Sequence, residues 1–262
     1  MISNPIKISV VLPLFNPRKD HLKECIKSLV EQEYQDFELI VVDDSNKNED
    51  YVEIFKSFSK DKLQYFKNNI PLGLQASLNF AIKNARGEFI ARMDGDDISK
   101  KKRFATQLKF LEENPKISIV GSNCITIDAK GNNVGVRLYP YKKKNVMRSI
   151  FSPLAHPSVM FQKDFFNKFG LYSEEIELED WELWLRVLKN GGEIYNIQEN
   201  LLKIRVFSNN EYQRPRHWHL VHKIGIKHFD RERFIFSIMF IIFWFCVYIF
   251  PFKNILRKIK NT

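Results

Sequence analysis

Apolar positions in the amino-terminal half fall into short unbroken runs, separated by stretches with helical spacing. Ile6 to Leu12 is one run, ending at Pro13, and Phe37 to Val42 is another, ending at Asp43-Asp44-Ser45. Runs without alternation read as strands covered on both faces, the pattern of a parallel sheet. Between them, Asp20 to Tyr34 carries Leu22, Ile26, Leu29 and Val30 at the period of an amphipathic helix, with Asp20 placed to cap it. Leu63 to Phe66 reads as a third short strand. Gly73 to Ala85 reads as a helix with Leu74, Leu78, Ala81 and Ile82 on one stripe, and a strand ending at Asp94 follows. This rhythm predicts an α/β sheet with right-handed crossovers. Such sheets bind ligands at the carboxyl ends of strands where the strand order switches. Pro13 to Asn16, Asp43-Asp44 and Asp94 to Asp97 all fall at strand ends, so three polar loops are expected to converge on one crevice.

The second half has a different texture. Ile117 to Ile127 reads as one or two strands, Asp128 to Asn133 as a turn, and Tyr141 to Ile150 as a basic helix. Ser152 to Gln162 has prolines on both sides of His156 and reads as a loop leading into a strand. Glu174 to Asp180 is acidic, and Trp181, Trp184, Leu185 and Leu188 then follow at helical spacing until Gly191-Gly192 ends the element.

The densest chemistry lies at Asp94-Gly95-Asp96-Asp97, where an apolar strand runs into three carboxylates. Alternation places Asp94 and Asp96 on one side, and Gly95 lets the chain bend so that both address one point. Oxygen donors of this kind suit a hard divalent ion whose shell a substrate's phosphates complete. The other reading is an acidic turn that caps the following helix.

Charge separates the ends of the chain. The formal net charge is +10, yet residues 203 to 262 hold twelve Lys or Arg against three Asp or Glu, leaving the first 202 nearly neutral. Phe234 to Phe252 is nineteen residues without a charge. As a helix it would extend about 28 Å, close to the ~30 Å hydrocarbon layer of a bilayer. Basic residues flank it on both sides, with the larger cluster from Arg214 to Arg233, which favours holding the preceding domain on the cytoplasmic face of the inner membrane. A helix lying in the interface, with Ile255, Leu256 and Ile259 extending an amphipathic segment, is the alternative. Three widely spaced cysteines, Cys25, Cys124 and Cys246, suggest no disulfide framework, and Met1 to Pro5 lacks a signal-peptide pattern. The cluster His217, His219, His222 and His228 has no spacing that marks a metal site.

In order along the chain, Val11 to Asn16, Val41 to Ser45, Asn69 with Gly73 and Asn79, Gly87 to Asp97, His156 to Met160, Glu179-Asp180-Trp181 and Leu183 to Arg186 resemble the successive blocks of the family 2 glycosyltransferases. The resemblance covers about residues 6 to 208. It implies the GT-A fold, a Rossmann-like mixed sheet flanked by helices, over residues 1–210. Residues 1–125 would form the nucleotide-sugar half and 126–210 the acceptor half, while 211–262 form a basic tail with the hydrophobic membrane-anchoring helix 234–252.

The resemblance also implies roles. Pro13, Phe15, Asn16, Asp43, Asp44 and Asp94 would bind the nucleotide, and Asp94 and Asp96 a divalent cation, Mn²⁺ or Mg²⁺. Asp180 would be the general base of an inverting transfer from a nucleotide sugar, UDP-linked, to a glycan or lipid-linked acceptor in surface-polysaccharide synthesis. Burial beside Trp181 and Trp184 would raise its proton affinity. Gly73, Asn79, His156, Glu179 and Trp181 are the candidate donor and acceptor contacts. For Asp180 the residue-level alternative is an acid favoured by the helix dipole. One departure stands out: many relatives carry a histidine where Phe207 stands, so the metal shell here is expected to be thinner. A sugar-phosphate nucleotidyltransferase is the rival reading, but Pro13 to Arg18 is no triphosphate-cradling loop. A nucleic-acid-binding module would account for the basic tail, yet that charge adjoins a hydrophobic span, and no nucleic-acid partner is expected.

Overall fold

The computed structural model describes residues 6–47, 49–141 and 152–207. The expected basic helix at 141–150, apart from Tyr141, and the expected tail helix at 234–252 lie outside the described residues. By internal contacts the chain divides into two units, Met1–Asn209 and Asn210–Thr262. No helix among the described residues is long and apolar enough to cross a membrane.

The first unit is built on one mixed sheet. Strand β1 (Ile8–Leu14) leads through helix α1 (Lys19–Val30) to β2 (Phe37–Asp43), then to β3 (Leu63–Lys67). Helix α2 (Leu74–Asn84) returns the chain to β4 (Phe89–Arg92) on the far side of β1, and β1, β2, β3 and β4 pair in parallel. Every residue of β2 and β4 is buried, the charged Glu38, Asp43 and Arg92 included, as strands covered on both faces require. The remaining elements are β5 (Ile98–Ser99), α3 (Arg103–Glu113), β6 (Ile119–Ile127), β7 (Asn133–Arg137), β8 (Met160–Gln162), α4 (Phe165–Phe169), α5 (Glu179–Lys189) and β9 (Ile194–Arg205). A 3₁₀ turn, His156–Ser158, precedes β8. The sheet runs β3-β2-β1-β4-β8-β6-β9-β5, with β7 on β6. Strand β8 is antiparallel to both β4 and β6, so it joins the parallel half to the rest.

Several local expectations need correction. Asp20 does not cap α1: Arg18 occupies that position without a side-chain cap, and Asp20 pairs with Arg18 from the first turn. The helix stops at Val30 and not at Tyr34, because Gln32 turns inward to donate to Ser99 Oγ and the Lys100 carbonyl. Strand β1 runs on through Pro13, which lies opposite Val42. Ile117 to Ile127 yields a single strand, β6. Cys25 and Cys124 are free thiols, both buried.

Candidate active site

The switch in strand order lies at β1, whose neighbours β2 and β4 are reached by connections in opposite directions. At the carboxyl ends of these strands a cleft of about 660 Å³ opens. Of the residues expected there, Pro13, Phe15, Asn16, Asp44, Gly73, Asp94 and Asp96 line it.

Each wall is held by polar contacts that begin at a strand end. Asn16 has a left-handed backbone (φ 48°), and its N–H donates to Ser45 Oγ at 2.8 Å. Its side chain is tied to Asn46 and to the Lys47 N–H. Asp44 is the anchor of the opposite wall. Its carboxylate accepts from Asn68 Nδ2, Leu72 N–H and Gly73 N–H at 2.7–2.8 Å, drawing residues 68–73 over the cleft. Gly73, at φ 96°, makes the bend that starts α2. Asp43 points elsewhere. It is wholly buried behind the cleft wall, accepting from Tyr65, Lys67 and the Ser45 N–H. Burial alone would push its carboxyl upward, but Lys67, Ser45 and Tyr65 hold it below the usual carboxylate value.

The loop after β4 gathers the acids. Carboxylate oxygens of Asp94, Asp96 and Asp97 lie within 4.8 Å of one another. Gly95 permits this by close approach: a Cβ there would sit 2.8 Å from Leu14 Cδ2. The alternative of an acidic turn capping the next helix is not met, since that helix begins only at Arg103, and Asp97 joins the cluster. Burial raises the proton affinity of Asp96 and Asp97, and the neighbouring acids raise it further. Asp97 Oδ1 accepts from the Arg205 N–H at 2.9 Å, whereas Oδ2 is buried with no hydrogen-bond partner among the described residues. An orphaned buried oxygen within a repelling acid triad fits a hard divalent cation, so Asp94, Asp96 and Asp97 are the residues that could hold one.

Arg205 was not singled out from the sequence. Its buried guanidinium spans three segments, bonding the Asp96 carbonyl, the Asp128 carbonyl and Glu24 on α1. His21 of α1 and Phe207 also line the cleft, with ring centroids 6.1 Å apart. Phe207, where the resemblance implies that a histidine is expected, occupies the cleft wall and is half exposed.

A second polar cluster forms at the start of α5, away from this lining. Leu178, in a left-handed backbone conformation, precedes Glu179 and Asp180 in the helix's first turn. Asp180 accepts from the Trp181 N–H at 2.7 Å and from Ser152 Oγ at 3.3 Å, and Trp184 Nε1 donates to the same hydroxyl. Burial raises the Asp180 proton affinity, the direction expected from its aromatic neighbours. Burial and the Asp180 charge push Glu179 up to about 7. His156 Nε2 shares a 2.9 Å hydrogen bond with Tyr172 Oη, and its Nδ1 lies 3.5 Å from Glu179. Burial, with Arg92 adding to it, holds this imidazole well below its usual value. The ring is therefore neutral, and its contact with Glu179 is not an ion pair. Asn79 fastens this region from α2, donating to the Tyr172 carbonyl and Glu174 and accepting from the Tyr172 N–H. Trp181 is buried in the helix packing.

The family described as Glycosyl transferase family 2 matches residues 9–169. The chain is 34% identical to the uncharacterized glycosyltransferase MJ1057 of Methanocaldococcus jannaschii, over 78% of this chain and 72% of that one. It is 32% identical to the putative glycosyltransferase EpsE of Bacillus subtilis, over 78% and 74%. It is 27% identical to the O-antigen biosynthesis glycosyltransferase WbnJ of Escherichia coli, over 91% and 95%. Among solved structures, S. aureus TarS 1–349 in complex with UDP-GlcNAc superposes with a TM-score of 0.67 at 18% identity, covering 84% of this chain and 66% of that one. The chain thus spans just under two thirds of that structure's length.

Proposed function

The chain belongs to glycosyl transferase family 2, and from that premise we propose that it transfers a sugar, with inversion, from a UDP-linked donor to a hydroxyl of a glycan or lipid-linked acceptor in surface-polysaccharide synthesis. The observation that carries this reading is the acid triad at the end of β4, opening on a cleft at the topological switch. The acceptor class is supported by relatives named for O-antigen and amylovoran biosynthesis. UDP is supported by the TarS complex.

In this mechanism the Pro13–Asn16 loop and Asp44 receive the nucleotide within residues 1–125. Residues 126–210 receive the acceptor, and His156 and Glu179 brace it. Asp180 takes the proton of the acceptor hydroxyl as its oxygen attacks the anomeric carbon, from the face opposite the departing UDP. The carbon–oxygen bond to the diphosphate breaks as the new glycosidic bond forms, so the configuration inverts. A divalent cation, Mn²⁺ or Mg²⁺, held by Asp94, Asp96 and Asp97 would offset the charge on the diphosphate. The basic tail, residues 211–262, would anchor this domain at the cytoplasmic face of the inner membrane and bring it to a lipid-linked acceptor.

Incubation of the full chain with a panel of nucleotide sugars and Mn²⁺ or Mg²⁺ tests the reading. Release of nucleoside diphosphate is expected; release of pyrophosphate would favour a nucleotidyltransferase instead. Truncation after Asn209 should move the protein from the membrane to the soluble fraction.

A further inference from the structure

The first turn of α2 meets two parts of the molecule at once. Gly73, Leu74 and Ser77 line the cleft, and Asp44 accepts from the Gly73 N–H at 2.8 Å, so this end of the helix is built into the wall that would receive the nucleotide. Gln75, in the same turn, is not among the lining residues; its Nε2 donates to the Ile176 carbonyl at 3.2 Å. One turn further along the same helix face, the buried Asn79 takes hold of the other end of that segment. Its Nδ2 donates to the Tyr172 carbonyl and to Glu174 Oε1, and its Oδ1 accepts from the Tyr172 N–H, each at 3.0 Å.

The clasped segment leads straight to the acids that open α5. Two residues after Ile176 comes Leu178, whose left-handed backbone (φ 66°) is unusual for a bulky side chain, and then Glu179 and Asp180. Such a conformation persists where surrounding contacts impose it. Between Tyr172 and Leu178 the chain carries the exposed Glu174, Glu175 and Glu177, so apolar burial supplies little of that constraint. Tyr172 is fixed from both ends: its backbone is held by Asn79, and its hydroxyl shares a 2.9 Å hydrogen bond with His156 Nε2, whose ring lies 3.5 Å from Glu179 through Nδ1. The Ile176 end is held by Gln75.

We propose that Gln75 is a positioning residue: through the Ile176 carbonyl it ties the placement of Glu179 and Asp180 to the first turn of α2, and so to what occupies the cleft. As a mechanistic role this rests on the glycosyltransferase reading above. A nucleotide packed against Leu74 and Ser77 steadies the turn that also carries Gln75, so the acid pair is set for the acceptor when the donor is in place.

Full-length chains carrying Gln75→Glu or Gln75→Lys test it. Glu keeps the shape of the side chain, loses the N–H that the Ile176 carbonyl accepts, and is favoured in a first helical turn; Lys restores a donor. With Glu the melting temperature should hold while kcat falls on the order of tenfold, the scale of a slightly misplaced reacting group, with the donor KM changing much less. Lys should recover most of kcat. An unchanged kcat with Glu, or an equal loss with Lys, would overturn the proposal. A second readout needs no turnover. A glutamate-specific protease reaches the bonds after Glu174, Glu175 and Glu177 when the segment opens, and Gln75→Glu should speed cleavage there about fivefold, the worth of one neutral hydrogen bond. UDP with Mn²⁺ should slow that cleavage in the parent chain and not in the variant. Cleavage of the variant at the parent rate would overturn the positioning role, and UDP that slows both equally, or neither, would overturn the tie to the cleft. The expected protease pattern without transfer to any acceptor would count against the transferase reading alone.

Discussion

The cleft at the strand ends and the cluster at the head of α5 are both acidic, but they treat their acids in opposite ways. In the cleft, Asp44 is met by three donors and organises a wall, while Asp94, Asp96 and Asp97 crowd together with too little positive charge to balance them. At α5, Glu179 and Asp180 are half-buried, Glu179 beside His156 and Asp180 bonded to Ser152 and the Trp181 N–H, and partial burial raises the proton affinity of both. The difference suits the proposed division of labour. The cleft acids are grouped about one point with a buried oxygen left unpartnered among the described residues, as a cation site would require, whereas Glu179 and Asp180 each lie beside a neutral side chain, as a proton acceptor would require.

The contrast is broken most severely at the triad. Asp96→Ala should lower turnover on the order of 10³-fold, as loss of an electrostatic contact at a developing charge does. In cation-free buffer its melting temperature should hold or rise, because the substitution relieves repulsion with Asp94. A large loss of stability there would mean that the cluster is structural.

Asp180→Asn should reduce kcat on the order of 10²-fold or more, the range of a lost general base. UDP affinity measured by calorimetry should stay unchanged, since Asp180 is not among the residues lining the cleft. Weakened UDP binding would erase the proposed separation between the two regions.

Asp44→Ala removes the acceptor of two backbone N–H groups and of Asn68. A cost of about 2 kcal/mol in denaturant unfolding is expected for donors left without a charged acceptor. The donor KM should rise more than kcat falls.

The mildest effect concerns Glu179. Its folded-state value of about 7 lies above the ordinary 4.5, so its contribution to stability is fully present below pH 4.5 and is lost as pH rises through 7. Glu179→Gln should therefore melt several degrees above the parent chain at pH 8, with the gap closing toward pH 4.5. A gap that is the same at both pH values would show that Glu179 is not buried as a titrating acid.

Much of the first region was legible because its signals are local. Runs dominated by apolar residues mark β1, β2 and β4, and the residue after each run is placed at the sheet's carboxyl edge by chain continuity alone. Even there, period and position could not say which carboxylate of Asp43-Asp44 faces the cleft. Tyr65 and Lys67 of β3 draw Asp43 inward, while the N–H groups of residues 72 and 73 hold Asp44 at the wall. Period and position leave Asp97 open between a cation site and a capping turn, because nothing nearby in sequence announces Arg205, which meets it from more than a hundred residues away.

By itself, then, the order of residues determined a parallel α/β half with three acids at a strand end, an acidic pair ahead of an aromatic helix, and a family to which such blocks belong. Only tertiary structure decided that β8 inserts between β4 and β6, that Arg92 is enclosed against Asp94, and that Arg205 ties the metal-fit loop to α1 and the turn after β6. The reason is physical. Strand and helix patterns follow from where each side chain must hide relative to its near neighbours, but the partner of a buried charge is chosen by packing between segments distant in the chain.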